Sequence, residues 1–129
     1  MNYSSEIYPC QKLIREKYQG EVNVAFLKAS LLQLSQDERF SPNFDNIVDF
    51  RDSIVKISPS DVMDLMAVHF KVFGLSDGRT AFLVDVPKET ALALFFEKKM
   101  SLERQIKVFS TLAGAEEWLE LSQGNPRLF

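Results

Sequence analysis

Asp49, Arg51 and Asp52 close an apolar run in the stretch NIVDFRDSIVKISPSD. Two carboxylates beside a guanidinium could hold a divalent cation or act as general acid and base. In α/β sheets ligands bind beyond the carboxyl ends of the strands, where such residues would sit. The competing reading is structural: Arg51 pairs with one acid and the others cap loop amides. On an extended chain residues 49 and 51 share a side, and Asp52 points the other way. No second group of His, Asp or Glu stands at ligand spacing elsewhere in the sequence. The three residues are therefore read as ion pairs and caps at a polar loop edge, with no catalytic residue, metal or cofactor assigned.

Ser58 and Ser60, in Ile57-Ser58-Pro59-Ser60-Asp61, are candidate phosphoacceptors, because a helix N-terminus favours an added negative charge. Ser58 is also a natural N-cap with Pro59 at the first helical position, and capping requires nothing further. His69 is the one histidine. Its apolar neighbours at helical spacing mark a packed ring rather than a general base. Cys10 is the one cysteine, so neither an internal disulfide nor a cysteine-built zinc site can form.

A chain of 129 residues is the size of one domain, here 1–129 with a tail over 122–129. Fifteen basic residues against eighteen acidic give a net charge of −3, which disfavours nucleic acid as a partner. Lys98, Lys99, Arg104 and Lys107 form a short basic run read as a solvated rim, since Glu103 lies among them. The N-terminal MNYSSEIYPC lacks a basic region followed by an apolar one, so no signal peptide is expected. The longest apolar run, Ala91–Phe96, is far too short for a membrane span. A cytoplasmic location with a reduced thiol is expected.

The elements that must position these side chains follow from periodicity. Residues 3–8 and 12–18 read as a hairpin broken at Pro9-Cys10-Gln11, with Gly20 ending the second strand. Val22, Ala25, Phe26, Ala29 and Leu32 give a helix over about 21–37. A strand over 44–50 and an irregular stretch over 51–57 follow. Ser58 opens a helix whose Val62, Leu65, Met66, His69 and Phe73 share a face, and Gly74 fits its C-terminal cap. Thr80–Val86 reads as a central strand, Pro87 starts a helix to about Lys99, and Gln105–Phe109 is a last strand. Ser110 or Thr111 caps a fourth helix, stopped by Gly124-Asn125-Pro126. The order ββαβαβαβα predicts an α/β fold: a mixed, largely parallel sheet of about five strands with four helices.

The third helix is over-supplied with apolar residues. At about 100° per residue, Ala91, Leu92, Leu94, Phe95 and Phe96 cover an arc of roughly 200°. One face packed on a sheet needs a narrower stripe. Leu92, Phe95 and Phe96 are therefore candidates for an apolar interface or a ligand surface, with packing under neighbouring helices as the third possibility.

Four fragments in order resemble a known group: Gly20-Glu21-Val22, Val48-Asp49-Phe50-Arg51-Asp52, the apolar strand ending in Pro87, and Val108-Phe109 with Ala115-Glu116-Glu117-Trp118-Leu119. Over about residues 5–121 the chain resembles small bacterial proteins of the SpoIIAA-like group, whose fold is shared with STAS domains and, more distantly, with CRAL-TRIO lipid-transfer domains. In anti-sigma-factor antagonists of this superfamily a phosphorylatable serine opens the helix after this strand. Ser58 and Ser60 fall there, while Pro59 and Asp61 depart from the usual run. The resemblance implies a fold; together with the wide apolar third helix and the lack of a catalytic set it leads to the expectation of a non-enzymatic cytoplasmic regulatory or protein-interaction domain. A protein partner or self-association through the third helix would follow. The alternative it implies is a binder of a small apolar or lipid-like ligand between the second and third helices.

Overall fold

A computed structural model describes residues 2–120, so the expected tail over 122–129 and its Gly124-Asn125-Pro126 stop lie outside the described residues. Strands β1 (Asn2–Tyr8) and β2 (Leu13–Asn23) form an antiparallel hairpin around a single turn of 3₁₀ helix at Pro9–Gln11. Helix α1 (Val24–Ser35) starts at Asn23, whose side chain accepts a hydrogen bond from the Phe26 amide at 2.8 Å. Strand β3 (Asp45–Lys56), helix α2 (Pro59–Phe73), strand β4 (Arg79–Leu83), helix α3 (Pro87–Lys99), strand β5 (Gln105–Phe109) and helix α4 (Leu112–Trp118) complete the order. The sheet runs β1-β2-β3-β4-β5, with every pair after the hairpin parallel. The expected α/β class and mixed, largely parallel five-stranded sheet are what the chain forms.

Alternation along the strands sorts side chains to two faces. Leu13, Ile47, Ala81 and Leu83 point to one face and pack against Ala115 and Leu119, so α4 covers that side. Tyr18, Val22, Val48 and Ile106 point to the other, where they meet Leu27, Val62, Leu65 and Phe96 from α1, α2 and α3. One sheet thus separates a thin core under one helix from a thick core under three.

Several boundaries differ from expectation: α1, expected over about 21–37, runs Val24–Ser35 because residues up to Asn23 pair in β2. Gly20 does not end β2: it takes a positive φ of 79° just after an irregularity in the pairing, and the strand pairs on to Asn23. The stretch 51–57 is not irregular, because β3 continues to Lys56 against this lengthened β2. In the register Lys17 faces Asp49 and Gln19 faces Asp52, so Phe50 and Arg51 together oppose Tyr18 alone. That is a β-bulge in β3. Strand β4 stops at Leu83 rather than Val86. Beyond the bulge β3 no longer pairs with it, and one further bond, Val84 N–H to the Phe109 carbonyl at 3.0 Å, ends the ladder.

Candidate functional site

The bulge decides where the acidic cluster goes. It shifts the alternation by one residue, so Asp52 lies on the same side as Asp49 rather than opposite it. Lys17 bridges both, at 3.3 Å to Asp49 and 2.9 Å to Asp52. Arg51 grips Asp49 with Nε and Nη2, each at 3.0 Å, and its own amide donates to the same carboxylate. Partial burial pushes the Asp49 carboxyl up, but the Arg51 bonds and the Lys17 charge outweigh it and hold the group below the usual carboxylate value. The cluster is not at a loop edge: it sits inside β3, the sequence reading having ended the strand too early.

Ser58 and Ser60 lie where expected, at the start of α2. The Ser58 hydroxyl accepts from the Asp61 amide at 3.3 Å and the Asp61 carboxylate accepts from the Ser58 amide at 2.9 Å, a complete capping box. The Ser58 and Ser60 hydroxyls share a hydrogen bond of 2.8 Å.

Helix α3 turns Phe96 into the core and half-buries Leu92 and Phe95 against it, leaving Leu94 as its exposed leucine. Leu92 and Phe96 help line a cavity of about 100 Å³ between the sheet and the undersides of the helices. Leu65 and His69 of α2, Leu27 of α1, and Val48 and Phe82 of the sheet complete much of its wall. The wall is mostly apolar, except at one end and at Glu89 of α3, whose buried carboxylate accepts from the Val55 amide at 3.0 Å.

That end is built by residues the sequence reading passed over. On the sheet face under α1, α2 and α3, Asn46 of β3 stands beside Thr80 of β4, Glu16 of β2 lies diagonally next to Asn46, and all three are buried. Arg104, expected on a solvated rim, is 3% exposed and bonds to this row without itself lining the cavity. Its Nε donates to the Thr80 hydroxyl at 2.8 Å, Nη1 to the Pro42 carbonyl and Ser76 hydroxyl at 2.9 and 2.7 Å, and Nη2 to the Phe44 carbonyl and Asn46 Oδ1 at 2.8 and 3.1 Å. All the N–H donors of a guanidinium are used. Gly78 makes room for this fork, since a Cβ there would strike the Phe44 carbonyl and lie 2.8 Å from both Nη atoms. Burial lowers the Arg104 pKa to about 10, while Asp45 and Glu16 work against that.

From Arg104 the bonds pass onward. Asn46 donates to Glu16 Oε2 at 2.8 Å and Tyr3 donates to Glu16 Oε1 at 2.8 Å. Burial raises the Glu16 pKa, and those two bonds and the Arg104 charge only partly offset it. Tyr3 packs on Tyr18 at 4.8 Å, Tyr18 stacks on Phe50 at 4.9 Å, and contacts of 5.9 Å carry on through Phe82 to Phe96. Phe96 meets His69 at 5.3 Å, His69 meets Phe73 at 4.7 Å, and Arg104 lies over Phe73 at 4.3 Å. These polar and ring contacts form a closed circuit, most of whose members line the cavity. No local signal reveals it: Glu16 and Arg104 look like surface residues until the sheet brings them together.

Among the described residues no group of three His, Cys, Asp or Glu side chains is placed to hold a metal ion, and no helix is long and apolar enough to cross a membrane. No family model and no curated protein matches the sequence. Solved structures do. A DUF3478-family protein with a SpoIIAA-like fold from Shewanella loihica superposes with a TM-score of 0.59 at 15% identity, covering 91% of this chain and 93% of its own. The anti-sigma factor antagonist SpoIIAA, in its unphosphorylated form, superposes with a TM-score of 0.53 at 14% identity, covering 93% of this chain and 99% of its own. Both likenesses span nearly the whole chain. The chain has a SpoIIAA-like fold.

Proposed function

We propose that this chain is a non-enzymatic, cytoplasmic regulatory or protein-interaction domain that works by holding a small apolar ligand between the sheet and helices α2 and α3. The observation that carries the reading is the cavity of about 100 Å³, walled by Leu65, Phe82, Leu92 and Phe96. Well-packed interiors leave few voids larger than a water molecule, and dry apolar ones take up apolar guests. The acidic cluster on β3 has its charges matched by Lys17 and Arg51, which suits a structural role better than acid–base work. SpoIIAA is described as an antagonist of an anti-sigma factor, which supports a protein partner for a chain of the same fold. Native mass spectrometry of protein purified from cells tests the ligand: a bound mass is expected, and a clean apo mass under gentle conditions would count against it.

Self-association is a second reading, favoured by Leu94 at 48% exposure on α3 and Leu102 at 91% in the turn after it. Light scattering at rising concentration distinguishes them, since a strict monomer leaves those leucines for another partner. Ser58 and Ser60 remain candidate phosphoacceptors for switching such a contact, readable as an added phosphate mass in cells.

A further inference from the structure

The polar end of the cavity has almost nothing left to offer a charged guest. Every Arg104 donor has an acceptor. Glu16 gives one oxygen to Tyr3 and the other to Asn46, and the Thr80 hydroxyl donates to Asn46 Oδ1 at 2.5 Å while accepting from Arg104. A carboxylate or ammonium group entering here would leave water without gaining a free counter-charge.

Glu89, elsewhere in the wall, accepts from the Val55 amide through Oε1; among the described lining residues, His69 is the one with a buried polar atom that has no hydrogen-bond partner. Its side chain is 4% exposed, it lines the cavity, and its Nδ1 has no hydrogen-bond partner. Phe73 and Phe96 hold the ring in place from two sides. Burial, with the Arg104 charge adding to it, pushes the imidazole down to about 3, so the ring is neutral near pH 7 and has one donor and one acceptor nitrogen.

Size limits the guest further. An apolar cavity of about 150 Å³ in another protein binds benzene. The space here, about 100 Å³, matches a single ring and not the acyl chain of a membrane lipid.

We infer that the cavity takes a neutral, ring-sized apolar molecule carrying one hydroxyl or N–H group, and that this group hydrogen-bonds the His69 imidazole. The inference rests on the ligand reading proposed above and narrows its chemical class.

Benzene, phenol and benzoate, titrated into the whole chain at pH 7 and followed by amide chemical shifts, test it. Benzoate is ionised at this pH. Phenol is expected to bind about five-fold tighter than benzene, the worth of one net hydrogen bond. Benzoate is expected not to bind. In His69→Phe the advantage of phenol over benzene should vanish while benzene still binds. The wild-type comparison needs no variant, so a His69→Phe chain that fails to fold leaves the test intact. Benzoate binding as tightly as phenol, or phenol binding no better than benzene, would overturn the inference and leave the ligand reading standing. Failure of all three probes to shift any cavity residue would overturn both.

Discussion

Arg104 and Glu16 are joined through a third side chain: Asn46 accepts from Arg104 Nη2 at 3.1 Å and donates to Glu16 Oε2 at 2.8 Å. An amide thus relays between a buried cation and a buried carboxyl. Breaking one end of such a network strands charge in a low-dielectric interior. Arg104→Met should lower stability by about 3–5 kcal/mol. Arg104→Lys should rescue little of it, because one ammonium cannot reach a fork of acceptors. Chemical denaturation measures both, and a loss below about 1 kcal/mol for Arg104→Met would contradict the buried network.

Gly78 is tied to the same fork. Gly78→Ala puts a methyl group against the Phe44 carbonyl and the Arg104 Nη atoms, so it should cost about 3 kcal/mol although the change is small. An unchanged melting temperature would show that the two loops have room that the geometry denies.

Stability should depend on pH through two groups of opposite sense. The His69 pKa falls from 6.5 to about 3 on folding, chiefly through burial. The unfolded chain therefore takes up a proton that the folded chain refuses. Stability from neutral His69 is complete above about pH 6.5 and falls by about 1.4 kcal/mol per unit as the pH drops toward 3. Burial raises Glu16 above 4.5, so the folded chain keeps a proton there that the unfolded chain gives up, and stability declines as pH rises through that range. Urea titrations of His69→Leu beside wild type at pH 7, 6 and 5 isolate the first effect. The wild type should lose ground to the variant at each step down, and a constant gap would refute neutral burial of His69. Glu16→Gln should gain on wild type as the pH is raised.

The acidic cluster on β3 should behave as structure. Asp49→Asn removes a charge matched by Arg51 and Lys17 at a partly exposed site, and should cost about 1 kcal/mol. Phenol binding should be unchanged, because Asp49 lies on the face of β3 away from the cavity. A loss of binding with stability intact would move the functional site to this cluster.

Ser58→Ala should cost about 1 kcal/mol by removing the cap of α2, whereas Ser60→Ala should cost a few tenths at most. Thermal melts of the two variants separate them. Phosphorylation at Ser58 would require the box with Asp61 to open, since phosphate and carboxylate repel.

The strands and helices were legible because their signals are local. Ser58-Pro59 and Asp61 mark the start of α2, and Gln105–Phe109 alternates as a strand should. The bulge was not legible, because it depends on which residue of β2 faces Phe50 and Arg51, a matter of register between strands. Reading Asp52 as opposite to Asp49 failed for that reason. Arg104 was misplaced because a basic residue between Glu103 and Gln105 looks solvated. Its acceptors come from the segments before β3 and β4, and nothing near it in sequence announces them. The excess of apolar residues on α3 was visible, and Leu92 and Phe96 do help wall the cavity, but its polar end is assembled from single residues of β2, β3 and β4 that only the pairing of the strands brings together.

The acceptors of Arg104 lie 24 to 62 residues away along the chain, in β4, β3 and the loops before them. Its fork can close only after those segments have assembled, since each long loop must be closed before its contact is gained. The guanidinium should therefore stay hydrated through the folding transition state and desolvate late. A weakening at this position then shows in one arm of a chevron plot: Arg104→Met should unfold faster by a large factor while its refolding rate barely changes. The residue that anchors the finished domain is one that the chain does without while folding, so it governs the lifetime of the native state rather than the speed of reaching it.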